Sequence, residues 1–195
     1  QNSGRALDIG KLLLPTGNYS VTMQGSTLQS TVSVSGTAVT IRAAGLLSFD
    51  TTGGAANNFS SASTTALSLD GGSVVASLGA DTAVANGVDG AALMGVVAGG
   101  SGNVSIDTLG ISLTANGAFG SALLAGTNTG SVTLGNANGG IQGTLNSTGY
   151  GIRVVANLGG ATVTLGSAGT ITARDGIYVQ GLGPITVTSY GTINA

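Results

Sequence analysis

The residues of this sequence that could do acid–base chemistry are its seven aspartates, because the chain contains no glutamate and no histidine. Two carboxylates on one surface can hydrolyse a glycosidic bond, and lyases add a basic residue and often calcium. The intervals between the aspartates from Asp50 to Asp107 are irregular and do not predict a common strand position. Because Asp-Gly pairs are typical of turns, we expect turn residues rather than catalytic acids. The seven are Asp8, Asp50, Asp70, Asp81, Asp89, Asp107 and Asp175.

The rest of the composition excludes further kinds of site. Without histidine the chain has neither a Ser-His-Asp triad nor a histidine general base. Without cysteine it has no disulfide and no Cys or Cys/His metal site. A net charge of −2, with five scattered basic residues, gives no electrostatic footprint for nucleic acid. We therefore expect no enzyme, no catalytic, cofactor-binding or metal-binding residue, no cofactor and no nucleic-acid partner.

Small residues dominate the chain, and the composition as a whole disfavours helices. Glycine accounts for 36 residues, and alanine and threonine for 25 each, whereas aromatic residues make up 4%. Surface helices rely on Glu, Lys, Arg and Gln, and these types are nearly absent here. Short runs of Val, Ile, Leu and Thr between glycines instead predict strands around a narrow aliphatic core. The prediction is an all-β fold.

A repeated unit occupies the C-terminal half. Val163 recurs as Val187 and Ile171 as Ile193, and the segment 151–154 matches 176–179 at a spacing of 25. The segment 132–134 aligns with 163–165 at a spacing of 31, and 104–106 with 132–134 at a spacing of 28. Three short strands per unit, at a period in the twenties, predict a parallel β-helix or β-solenoid. Crossovers between parallel strands favour the right hand. An antiparallel meander or sandwich is the competing interpretation.

Alternation within each segment predicts which side chains point inward. The predicted core contains aliphatic residues from three consecutive coils. They are Val132, Leu134, Ile152, Val154, Val163, Leu165, Ile171, Ile177, Val179, Ile185 and Val187.

The N-terminal part of the chain is less regular. Residues 1–65 are interpreted as an N-terminal cap or irregular first coils, and 66–195 as β-helix coils that continue beyond the fragment. Strand-like runs occur at 19–23, 31–34 and 38–41, and residues 51–65 are the expected loop or internal boundary. Terminal repeats shield an open core, so an irregular start is expected.

Threonine pairs mark the outward positions. Stacked T-x-T pairs on a flat solenoid face are used by β-helical ice-binding proteins, but threonine is also a strong polar strand former. We expect the pairs to fall on different faces, with Ser131 and Thr133 alone on the neighbouring coil. The pairs are Thr162/Thr164, Thr170/Thr172 and Thr186/Thr188.

Three segments carry a resemblance to a known family. GTITARDGIYVQG (169–181), ITVTSYGTINA (185–195) and TGYGIRVVANLGGATVTLGSAGTI (148–171) resemble the coils of bacterial autotransporter passenger domains. The resemblance covers residues 130–195 well, 67–130 loosely and the N-terminal third poorly. It implies a cell-surface (outer membrane) or secreted protein of a Gram-negative bacterium, exported by type V secretion. It also implies membrane attachment only through a C-terminal barrel that is absent from this chain.

The function expected from these observations is a non-catalytic adhesin or self-association module for aggregation or biofilm formation. Its partner is expected to be a host-surface protein or glycan, or another copy of itself. The alternatives are a β-helical polysaccharide lyase or hydrolase, and an ice-binding or structural solenoid. Aspartates clustered on one face would favour the enzyme, and a flat regular threonine array would favour ice binding.

Overall fold

Alternating aliphatic and small polar residues form strands throughout the described chain, as such alternation predicts. The computed structural model describes residues 7–9, 19–23, 27–30, 37–97, 101–136 and 139–195. Every secondary-structure element in these residues is a β-strand, which confirms the all-β prediction. The strands are β1 (Leu7–Ile9), β2 (Tyr19–Thr22), β3 (Thr27–Ser30), β4 (Val39–Asp50), β5 (Asn58–Ser61), β6 (Leu67–Leu78), β7 (Thr82–Ala85), β8 (Ala91–Val96), β9 (Val104–Ala115), β10 (Ser121–Thr127), β11 (Val132–Leu134), β12 (Ile141–Ala156), β13 (Ala161–Gly181), β14 (Ile185–Ser189) and β15 (Thr192–Asn194).

The strands stack into three parallel sheets that wind around one core. The first sheet contains β1, 39–43, 67–71, β8, β10, 150–156 and 175–181. The second contains β2, 47–50, 74–78, 104–108, β11, 161–165 and β14. The third contains β3, β5, β7, 111–115, 143–147, 169–173 and β15. This architecture is the predicted parallel β-solenoid with three strands per coil, and its right hand stays a prediction.

The register between strands confirms most of the predicted alignments. Val163 lies opposite Val187, Ile171 opposite Ile193, and Val104 opposite Val132. The alignment of 132–134 with 163–165 is wrong, since Val132 pairs with Ala161 instead of Val163. Ala161 occupies the inward position opposite Val132. The predicted alignment is therefore shifted by two residues, which is one period of the strand alternation.

The core is a set of aliphatic ladders that run along the solenoid axis. In the first sheet, each coil from Val39 to Ile177 contributes one inward residue to the same ladder. The residues of that ladder are Val39, Leu67, Leu93, Leu123, Ile152 and Ile177. Each coil buries its inward side chains against the next coil, which is the source of stability in a solenoid.

Seven of the eleven predicted core residues are completely buried: Val132, Leu134, Ile152, Val154, Val163, Leu165 and Ile171. Ile177 and Val179 are partly buried against the same core. The prediction is wrong for Ile185 and Val187, which are 44% and 47% exposed. Both lie in β14, and among the described residues no strand stacks on its far side, so their inward faces stay uncovered.

The corner between the third and first sheets is lined by small residues. Ala38, Ala66, Ala92 and Ala122 are fully buried there, and Gly151 continues the column. A Cβ atom added at Gly151 would clash with Cγ2 of Ile171. Ile171 in the third sheet therefore leaves no room for a side chain at the Gly151 position of this corner, although the other coils accommodate alanine there.

The N-terminal segments also stack in parallel where they are described. β1, β2 and β3 pair with the next coil in the same register pattern as later strands. The loop expected over 51–65 contains β5, which pairs with β7, so that expectation is wrong for 58–61. The strand-like run at 31–34 lies outside the described residues.

Candidate binding surfaces

The outward side of the third sheet carries two columns of small, mostly polar side chains, called here the polar face. The columns alternate with the buried Phe59, Leu113 and Ile171. Strands in a sheet lie about 4.8 Å apart, and alternate residues of one strand about 6.7 Å apart, so the columns form a regular grid. One column contains Asn58, Thr82, Ser112, Thr144, Thr170 and Thr192, and the other Ser60, Val84, Thr114, Asn146, Thr172 and Asn194.

The threonine pairs are therefore more ordered than the sequence predicted. Thr162 lies between Thr133 and Thr186 in the second sheet, so these threonines stack on one face. Thr170 stacks with Thr144 and Thr192 on the polar face. The expectation that the pairs fall on different faces is right for Thr170/Thr172, which lies in the third sheet. It is wrong for Thr162/Thr164 and Thr186/Thr188, which stack on each other in the second sheet.

Two carboxylates share a column on the second sheet. Asp50 lies opposite Ser77, and Ser77 lies opposite Asp107 on the next strand. The statement that the aspartates have no common strand position is wrong for this pair. Two strand steps place their Cα atoms about 9.6 Å apart, just beyond the roughly 6.5–9.5 Å that separates the two carboxyl groups of inverting glycosidases. The pair lies on the outward surface of the second sheet.

Hydrogen bonds from Thr52 hold the Asp50 carboxylate. The backbone N–H and the hydroxyl of Thr52 both donate to its Oδ1 at 2.8 Å. These bonds, the backbone one first, lower the pKa of Asp50 from its usual value because they stabilise the charged form. The geometry is an Asx turn that ends the strand.

The remaining aspartates serve several structural purposes. Asp89 lies in a turn, as expected. The turn interpretation is wrong for four aspartates that lie within strands: Asp8, Asp70, Asp107 and Asp175. Asp70 is 3.8 Å from the Arg42 guanidinium. Asp81 is 1% exposed and accepts hydrogen bonds at 2.8 Å from the backbone and side-chain N–H groups of Asn57.

A shallow depression lies beside the turn of Asp89. Ser63, Thr64, Val88 and Asp89 contribute to its lining. It contains one carboxylate and no second acid or base, which gives it no means of general acid–base catalysis. The described residues also contain no group of three acidic side chains able to hold a metal ion.

Aromatic and cationic side chains meet at the outward edge of the first sheet, in a group called here the Tyr–Arg cluster. It consists of Tyr150, Arg153, Arg174, Asp175 and Tyr178. The guanidinium carbons of Arg153 and Arg174 lie 5.2 and 5.8 Å from the centre of the Tyr150 ring. Both distances are within the range of cation–π attraction.

The cluster is built by the register of two consecutive coils. Arg153 lies opposite Tyr178, and Tyr150 opposite Asp175. The two tyrosine rings are 5.5 Å apart with a tilt of 56°, and Arg174 donates to Asp175 at 2.8 Å. Of these residues only Asp175 was a candidate from the sequence, as a turn residue, although the alignment of 151–154 with 176–179 predicts that Arg153 lies beside Tyr178.

Comparison of the chain with protein-family models, characterised proteins and solved structures gives no match. Among the described residues, no helix has the length and apolar character needed to cross a bilayer. What the geometry defines is a parallel β-solenoid with a neutral polar face and one aromatic–cationic cluster.

Proposed function

We propose that this chain is part of an autotransporter-like passenger domain that acts in adhesion or self-association, without catalysis. The observation that supports the proposal best is the polar face. Its two columns extend without a charged residue from Asn58 to Asn194, across the described strands of the third sheet. A flat, neutral grid of hydroxyl and amide groups suits a broad contact better than it suits a reaction centre.

The polar face suits binding by many weak contacts. Each hydroxyl or amide forms a bond of modest net strength, because it exchanges hydrogen bonds with water. Regular spacing lets several coils engage the same partner at once, so that affinity arises from their sum. A second copy of the chain has the same spacing and is the partner that this face fits most simply; a host-surface protein or glycan is the other candidate.

The resemblance of residues 148–195 to autotransporter coils supports the location that we propose. The protein is proposed to act at the outer surface of a Gram-negative bacterium, or after release from it. The proposed function requires no cofactor.

Display of the chain on a non-adherent bacterium tests the proposal, with clumping and attachment to host cells as readouts. We expect clumping or attachment with the natural chain and its loss when Thr144→Asp and Thr172→Asp are combined. The matched control combines Thr162→Asp and Thr186→Asp, which place the same charges on the second sheet. Absence of both activities in the natural chain contradicts the proposal, and so does equal loss in the control.

The grid of the polar face also favours ice binding as a second candidate. Thr144, Thr170 and Thr192 form a threonine column over three adjacent strands, although Val84 and three asparagines interrupt the T-x-T pattern. Thermal hysteresis of the purified chain tests this function. A hysteresis activity that Thr170→Lys abolishes would replace adhesion as the proposed function.

A polysaccharide-degradation screen tests the carbohydrate-active alternative. The column that contains Asp50 and Asp107 is where such an activity would have to lie. Turnover of a glycan that Asp50→Asn or Asp107→Asn abolishes would identify an enzyme instead of an adhesin.

A further inference from the structure

We propose that the Tyr–Arg cluster binds a saccharide that carries one anionic group, a carboxylate or a sulfate. This inference goes beyond the proposed function, which depends on the polar face of the third sheet. The cluster lies on the outward edge of the first sheet, so the two surfaces can be tested separately.

Arg153 supplies a positive charge that has no carboxylate partner among the described residues. Its guanidinium is held against the Tyr150 ring, and its Nε atom is buried without a hydrogen-bond acceptor among the described residues. A guanidinium presents several N–H donors in a planar fork that matches carboxylate and sulfate oxygens. Partial desolvation strengthens attraction to an anion. Arg153 is therefore positioned to bind an anionic group, whereas Arg174 already pairs with Asp175 at 2.8 Å.

The aromatic rings supply a surface for a sugar ring. Tyr178 is 39% exposed and lies tilted beside Tyr150. The face of an aromatic ring is electronegative, and the C–H groups on one side of a pyranose carry partial positive charge, so the two surfaces attract. The Tyr178 hydroxyl lies 3.1 Å from Oε1 of the exposed Gln180. These neutral polar groups are suitable partners for sugar hydroxyls.

The charge of the cluster suits a single anionic group rather than a polyanion. Two guanidinium groups and one carboxylate leave one positive charge, in a chain whose net charge is −2. Nucleic-acid binding depends on neutralising several phosphates, and this surface offers no row of cations for them. A monosaccharide unit with one acidic group matches both the charge and the ring-sized aromatic surface.

Titration of the 15N-labelled chain with single sugars, followed by NMR, tests the inference. Glucose is the neutral probe, glucuronate the carboxylated probe and glucose 6-sulfate the sulfated probe. We expect saturable shifts at 150–153 and 174–180 with at least one anionic probe, and none with glucose. The two anionic probes distinguish a carboxylated from a sulfated ligand.

Matched variants connect the shifts to the cluster. Arg153→Gln should weaken binding at least tenfold, whereas Arg42→Gln, on the same sheet but paired with Asp70, should leave it unchanged. Tyr178→Leu, at an exposed site, should weaken binding several-fold and serves as the second variant if Arg153→Gln does not fold. The combination of Thr144→Asp and Thr172→Asp should leave the titration unchanged, which separates this site from the polar face.

Several results would overturn the inference. The first is equal shifts with glucose, and the second is the absence of saturable binding to either anionic sugar. The third is an unchanged affinity in Arg153→Gln or, if that variant does not fold, in Tyr178→Leu. Shifts at the cluster caused by a DNA oligonucleotide but by neither anionic sugar would show a polyanion site instead.

Discussion

The hydroxyl of Thr51 donates a hydrogen bond to the carboxylate of Asp81 across two consecutive coils, and both residues are almost completely buried. Thr51 also accepts a bond from the backbone N–H of Gly79 at 3.0 Å. Asn57 completes the network through its backbone and side-chain N–H groups. These side-chain hydrogen bonds hold consecutive coils together at the bend between the second and third sheets, which lies outside the regular strand pairing.

Removal of the Asp81 carboxylate should destabilise the fold. Asp81→Ala leaves the Thr51 hydroxyl and two Asn57 N–H groups buried without their acceptor, and we expect a loss of about 2–4 kcal/mol. Asp89→Ala, in an exposed turn, is the control and should change stability by less than about 0.5 kcal/mol. Urea denaturation followed by circular dichroism measures both. Equal stability of the two variants would show that the network contributes nothing.

The small-residue corner gives a second prediction. Gly151→Ala forces a methyl group against Ile171, and overpacking of this kind costs about 1–3 kcal/mol. Gly126→Ala in the same sheet is the matched control, because the nearest atom to its added Cβ lies at an ordinary 3.4 Å. The control should be neutral or slightly stabilising. Thermal unfolding of both variants makes the comparison, and a lower melting temperature in the control alone would contradict the packing argument.

The inward and outward assignment in the third sheet can be tested at adjacent residues. Ile171→Asp places a charge in the core and should cost about 3–5 kcal/mol. Thr172→Asp introduces the same side chain at an exposed position and should cost less than about 1 kcal/mol. Unfolding midpoints in urea provide the measurement. An Ile171→Asp variant as stable as the natural chain would mean that the strand faces the other way.

Titration of Asp50 gives a pH-dependent prediction. Its folded pKa is lowered by the Thr52 hydrogen bonds, so its stabilising contribution is complete above the usual aspartate pKa. That contribution is lost as the pH falls through the lowered folded pKa, and it is small because the side chain is exposed. Thr52→Val removes the hydroxyl but keeps the backbone donor, so the pKa of Asp50 should rise only part of the way. NMR titration of the carboxyl carbon tests this, and an unchanged pKa would exclude a contribution from the hydroxyl.

The fold was predictable because local and repeated patterns agree. Alternation around Val163 and Ile171 predicts strands, and their recurrence at Val187 and Ile193 sets the register without any other information. The error at Val132 shows the limit, since a shift by one full period of the alternation preserves the inward pattern. Hydrophobic periodicity alone cannot distinguish two registers that bury the same side of a strand.

The binding surfaces were less predictable because they combine residues from different coils. The neighbours of Thr170 follow from unequal coil lengths, and these depend on bends whose sequences do not repeat. The hydrogen-bond network of Asp81 could not be predicted from strand periodicity, because Thr51 and Asn57 lie in a connecting segment. The alignment of 151–154 with 176–179 predicts that Arg153 lies beside Tyr178, but hydrophobic periodicity does not indicate which outward side chains interact.

The length of each coil determines how far the chain would lengthen when that coil is pulled away from the stack. Successive members of the aliphatic ladder in the first sheet, such as Leu93 and Leu123, are separated by one coil of similar length each time. An extended residue spans about 3.4 Å, so peeling one coil from the stack frees roughly 90 Å of chain. A pulled solenoid should therefore release its length coil by coil rather than in a single step.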